Sequence, residues 1–173
     1  MVMGLARAGG PSVFVAHERT LPAPPEPVGR LLDALGSADD ALWPADRWPA
    51  LRLDKPLEVG ARGGHGPIRY HVVAYEPGRM VRFRFTGPPG FVGEHEFLVE
   101  RAGPDASRLR HVLTLQPMAN ARFTWPLFYA PLHDALIEDL LDRAEAEVTG
   151  GTYAPRGWPP RVRFLRWLAK RWG

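Results

Sequence analysis

The stretch MVRFRFTGPPGFVGEHEFLVE, residues 80–100, reads as two strands, 80–86 and 93–100, joined by the turn TGPPGFV at 86–92. Centring a hairpin near Pro89 sets Arg84 opposite Glu94 and Arg82 opposite Glu96 on one face. The same register sets Phe83 opposite His95 and Val81 opposite Phe97 on the other. Side chains alternate along a strand, so a slip of one residue would scramble both sets at once. Opposite charges then meet on a wet face and rings meet on a dry one, as one half-buried antiparallel sheet requires. The charged residues are therefore a solvated ladder and not a catalytic cluster.

The pairing extends in both directions. Through AGPDAS, strand 93–100 meets 108–115 with Glu100 opposite Arg108, Phe97 opposite His111 and Val99 opposite Leu109. Through the turn EPGR (76–79), strand 68–75 meets 80–86 with Ile68, Tyr70, Val72 and Ala74 inside and Arg69, His71 and Val73 outside. A further strand is expected at 57–62. The Gly-rich GARGGHGP (60–67) lacks a phosphate-binding GxxxxGK[ST] pattern and leads into a strand, so it reads as a hairpin turn with His65 exposed at its tip. Upstream, VFVAHERTL (13–21) is a first strand, PAPPEP breaks it, and Pro27 opens the helix VGRLLDALG, closed by Gly36. SADDALWPADRW reads as a short helix or turn with Ser37 as N-cap. Downstream, roughly 125–148 carries apolar residues about every four positions, with Asp134, Glu138 and Glu145 off that stripe. Pro131 either kinks this helix or marks its start.

The order of elements, with the wording of RTLPAPPEPVGRLL (19–32), VVAYEPGRMVRFRF (72–85) and PLHDALIEDLLDRAEAEV (131–148), resembles the START/Bet v 1-like superfamily, the group of polyketide cyclases/dehydrases and lipid-transport proteins. The resemblance spans about 13–148. It implies an α+β helix-grip fold, a curved antiparallel sheet wrapped around a long C-terminal helix, with an apolar cavity between them. It implies binding, and by extension transport, of a hydrophobic small molecule such as a lipid, quinone or polyketide. The alternative is an enzyme of the cyclase, aromatase or dehydratase type. The expected organisation is a flexible N-terminus (1–12), the helix-grip domain (13–148), a Gly/Pro linker (149–160) and a cationic tail (161–173).

On the pairing above, Tyr70, His95 and His111 interrupt the apolar inner face. The expected cavity lining is Tyr70, Phe83, Phe85, His95, Phe97, His111, Phe128 and Leu132. If the protein is an enzyme, His95, His111 and Tyr70 are its acid/base candidates, although no carboxylate stands in sequence where it would orient either imidazole. Trp43, Trp48, Trp125 and Phe128 are either core or cavity entrance. The six histidines have no metal-ligand spacing and there is no cysteine, so neither a metal nor a cofactor is expected.

Six of the 22 basic residues and none of the 19 acidic ones lie from Arg156 onward, which leaves the body at a net −3. A basic face for nucleic acid is thus lacking, and no such partner is expected. The opening residues MVMGLARAGGPS lack a secretory signal, so a cytoplasmic protein is expected. The tail RVRFLRWLAKRW (161–172), taken as a helix, groups Phe164, Leu165, Leu168, Ala169 and Trp172 on one arc, with Arg163, Arg166 and Lys170 opposite and Trp167 between. That pattern suits either docking on protein, by self-association or on the chain's own body, or peripheral contact with the anionic inner face of a membrane. Arg163, Phe164, Arg166, Trp167, Lys170 and Trp172 are the expected contacts.

Overall fold

The hairpin register holds residue by residue. In the computed structural model, which describes residues 12–172, strand β5 (Met80–Gly87) pairs with β6 (Phe91–Gly103) through Arg82↔Glu96, Phe83↔His95 and Arg84↔Glu94. The last strand, β7 (Ala106–Pro117), continues with Phe97↔His111, Val99↔Leu109 and Glu100↔Arg108. The ion pairs form as the pattern requires: Arg82 Nε lies 2.6 Å from Glu96 and Arg84 Nη2 lies 2.7 Å from Glu94.

Seven antiparallel strands make one sheet in the order β1-β7-β6-β5-β4-β3-β2. Strand β1 (Val13–Leu21) is one edge, beside β7. Strand β4 (Ile68–Glu76) pairs with β5 as expected from Tyr70 to Val72, with a register shift before Tyr70 and a bulge after Val72. One extra residue reverses the facing beyond it. Ala74, expected inside, pairs with outward Arg82, and Tyr75 takes the inner position opposite Val81.

The strand expected at 57–62 is absent. In its place β2 (Arg52–Leu53) and β3 (Arg62–His65) form the far edge, so the glycine run is itself a strand. A Cβ on Gly63 would stand 1.9 Å from the Arg52 carbonyl oxygen, and only glycine lets β2 approach that closely.

Helix α1 spans Pro25–Asp33. Residues 37–48 form turns and no helix. The Ser37 hydroxyl accepts from the Asp39 amide, while Asp40 accepts from the amides of Gly36, Leu42 and Trp43. The closing helix runs as α2 (Ala121–Thr124), a π-helical turn (Trp125–Tyr129) and α3 (Ala130–Thr149), ended by Gly150 at φ 64°. Pro126, inside the π turn, and Pro131, at the second position of α3, each lack the amide proton an α-turn would use. Leu136, Ile137, Leu140, Leu141 and Ala144 face the concave side of the sheet. Helix α4 (Pro160–Trp172) carries the tail. The N-terminal residues 1–11 and the side chain of Trp172 lie outside the described residues.

Candidate functional site

Between α3 and the concave face of the sheet lies a cavity of about 880 Å³. Native interiors hold few voids larger than a water molecule, so a space this size in so small a protein requires an explanation. Its walls are mostly aromatic and aliphatic. Phe85, His95, Phe97, His111, Phe128 and Leu132 line it, as expected from the sequence. Tyr70 and Phe83 do not: both are fully buried one layer deeper, where Phe83 stacks on His95 at 5.0 Å and Tyr70 meets its edge at 5.0 Å. Trp43, Trp48 and Trp125 all border the cavity. So does His65, which is not an exposed turn residue. The β3 pairing turns it inward between Trp43 and Tyr70, and burial pushes its pKa down to about 3.

One wall is a row of imidazoles. His111 Nε2 lies 3.3 Å from His95 Nδ1, one donating and the other accepting. Burial drives both pKa values well below 6.5, so the pair is neutral. His133 of α3 lies beside His111, with ring centroids 5.0 Å apart. Its Nδ1 is 3.3 Å from Asp134 Oδ1, so a carboxylate does orient an imidazole of this cavity, although the sequence spacing showed none.

Asp134 opens a polar seam between α3 and β1. His17 bridges two carboxylates, with Nε2 3.2 Å from Asp134 and Nδ1 3.0 Å from Glu138. Arg19 donates to Asp142, Glu145 and Glu138 at 2.8, 2.9 and 3.2 Å. The acids that lie off the apolar stripe thus face the inward cations of the first strand. The hydrogen bond to Asp134, aided by Glu138, outweighs burial and raises the His17 pKa. The signal was present in VFVAHERTL, where His17 and Arg19 share their parity with Val13, Val15 and Leu21.

These shifts fix a pH dependence of opposite signs. His65, His95, His111 and His133 titrate lower folded than unfolded, so their contribution is whole above pH 6.5 and is lost as pH falls below it. His17 titrates higher when folded, so its contribution is whole below 6.5 and is lost as pH rises through its raised value. Four groups outweigh one. Thermal melts should show the melting temperature dropping steeply on the acid side of 6.5 and only shallowly on the alkaline side, and a flat acid limb would refute the neutral imidazole row.

The tail docks on the body, on a face that keeps Leu165 and Ala169 of the expected arc but turns Phe164 outward. Val162 and Leu165 are buried, and Arg166, Ala169 and Lys170 border the cavity, following i, i+3, i+4, i+7 and i+8. Arg166 packs over Trp48 and Trp158 at 4.2 and 4.3 Å and donates to the Arg47 carbonyl. Phe164 and Trp167, 58% and 53% exposed, stack on each other on the outer side. The anchor is Asp139, which is buried on α3. It accepts from Trp48 Nε1 (2.7 Å), Trp158 Nε1 (2.9 Å) and Arg47 Nη1 (2.8 Å). Sequence reasoning missed it, and its one signal was a lone acid on the apolar side of the long helix.

No family model matches the chain, and no curated protein matches it. Solved structures do. A conserved protein of unknown function from Enterococcus faecalis is 17% identical with a TM-score of 0.60, over 94% of this chain and 87% of that one. Norcoclaurine synthase from Thalictrum flavum, solved with dopamine and hydroxybenzaldehyde, is 13% identical with a TM-score of 0.60, over 82% and 88%. CalU16 from Micromonospora echinospora is 15% identical with a TM-score of 0.55, over 93% and 85%.

Proposed function

We infer that the chain, which has the helix-grip fold, belongs to the START/Bet v 1-like superfamily. From that premise we propose that it binds, and carries, a hydrophobic small molecule such as a lipid, quinone or polyketide between sheet and α3. The observation that carries this reading is the cavity of about 880 Å³ itself. Apolar voids cost stability in proportion to their volume, and a ligand that fills one recovers that cost. The occupancy of a similar fold by dopamine and hydroxybenzaldehyde supports an aromatic guest. Native mass spectrometry of protein purified without detergent should detect a bound small molecule. If none co-purifies and no fatty acid, quinone or polyketide binds, the reading fails.

A second reading, an enzyme of the cyclase, aromatase or dehydratase type, draws support from the neutral His95–His111 pair at the cavity wall. A neutral imidazole can take a proton as general base and return it as general acid. Replacing both by glutamine should abolish turnover and spare ligand affinity. A fall in affinity alone would make them binding groups.

We further propose that the outer face of α4 rests on an anionic membrane surface. No helix among the described residues is long and apolar enough to cross a membrane. The stacked Phe164 and Trp167 are flanked by Arg163, Lys170 and Arg171, which have no acidic partner among the described residues. Each such cation contributes about 1 kcal/mol beside anionic lipid, less in salt. Because Arg166, Ala169 and Lys170 also border the cavity, this contact would set its mouth against the lipid. Phe164→Ser with Trp167→Ser should abolish co-sedimentation with phosphatidylserine vesicles and leave the melting temperature unchanged. Retained sedimentation would remove α4 as the contact.

A further inference from the structure

We propose that Tyr70, His95, His111 and His133 form one hydrogen-bonded chain, polarised by Asp134, that carries protons between the cavity wall and the protein surface. Two of its joints are closed: His111 Nε2 to His95 Nδ1 at 3.3 Å, and His133 Nδ1 to Asp134 Oδ1 at 3.3 Å. Four atoms on the same four rings are buried without partners: Tyr70 Oη, His95 Nε2, His111 Nδ1 and His133 Nε2. They fall into two neighbouring pairs, since the Tyr70 and His95 rings lie 5.0 Å apart and so do those of His111 and His133. Buried polar atoms rarely stay unpaired. In the proposed chain these four atoms are its two open joints, to be closed by side-chain rotation within the neighbouring ring pairs.

The carboxylate gives the chain its direction. Asp134 only accepts, so His133 holds its proton on Nδ1 and offers Nε2 as an acceptor. His111 must then donate from Nδ1 and accept at Nε2, and His95 donates from Nδ1 in turn. The Tyr70 hydroxyl completes the row by donating to His95 Nε2. This assignment leaves no atom of the four rings unpaired. At the outer end Asp134 and Glu138 are half-exposed and His17 spans them.

A proton delivered by a guest in the cavity to His95 Nε2, in place of the Tyr70 hydroxyl, releases the Nδ1 proton to His111 Nε2, and His111 releases its own Nδ1 proton to His133 Nε2. The positive charge comes to rest on His133, beside the Asp134 carboxylate, and the His133 Nδ1 proton leaves through that carboxylate to solvent. Each imidazole gains one proton and loses one, so only its tautomer changes, and a proton travelling inward restores it. Asp134 is here a positioning residue.

The test needs no ligand, so its failure would leave the binding reading standing. Nitrogen-15 NMR of the full chain should find His95, His111 and His133 all protonated on Nδ1, the tautomer that free histidine disfavours. Asp134→Asn should return His133 to the Nε2–H form. Cutting the chain with His133→Gln should slow solvent exchange of the His95 ring proton to the rate of neighbouring β6 and β7 amides, whose own exchange stays unchanged. Any one of the three imidazoles protonated on Nε2 in the wild-type protein overturns the proposal, as does unaltered His95 exchange in His133→Gln. If either variant fails to fold, the wild-type tautomers decide.

Discussion

Asp139→Ala is expected to cost about 3–5 kcal/mol, the penalty for removing one partner of a buried, hydrogen-bonded charge pair. The carboxylate is 3% exposed and accepts three donors, from Trp48, Trp158 and Arg47. Its loss strands two indole N–H groups and a guanidinium in a largely buried site. Trp158 and Arg166 belong to the C-terminal segment and are held through this cluster, so α4 should come away from the body as well. Chemical denaturation reads the first effect. Limited proteolysis reads the second, as new cleavage after Arg156 in the segment between α3 and α4. A variant that melts within 1 kcal/mol of wild type, by the usual scale for a single surface change, would show that the cluster does not hold the tail.

Leu132→Trp is expected to empty the cavity of ligand while preserving the fold. Leu132 lies on α3 and faces the cavity, so an indole there grows into open space and not into packed neighbours. Overpacking normally destabilises a close-packed core, but filling a void adds about 0.5–2 kcal/mol. The melting temperature should therefore hold or rise, while the ligand signal in native mass spectra falls to background. Undiminished ligand in a folded Leu132→Trp protein would place the binding site elsewhere.

The two variants differ in how far the sequence pointed to them. Leu132 and the cavity rings Phe85, His95, Phe97 and His111 follow from periodicity, because hairpin neighbours lie close in the chain and opposite charges lock their register. Alternation sets Tyr70 and Phe83 on the right face but does not give their depth. Alternation tells inside from outside, whereas the curvature of the sheet decides which inner residue reaches the cavity. His65 reads as a turn residue because a glycine-rich strand looks like a turn.

Asp139, His17, Arg19 and Asp134 could be judged only from their partners. Trp48 stands 91 residues from Asp139, and Arg19 stands 123 from Asp142. No local pattern encodes contacts at that separation. A carboxylate on a helix reads as solvated until the fold sets a cation or an indole against it.

By itself, then, the sequence determined the register of β5, β6 and β7, the long closing helix, an acidic body and a basic amphipathic tail. Each is a matter of short-range alternation, helical spacing or charge count. The tertiary structure alone decided which face of α4 docks. Helical spacing permits several arcs, and burial of Val162 and Leu165 with Arg166 over two indoles selected one, leaving Phe164 and Trp167 outside. It alone also joined the cavity histidines to a surface carboxylate, because only folding brings β1, β6, β7 and α3 to one place.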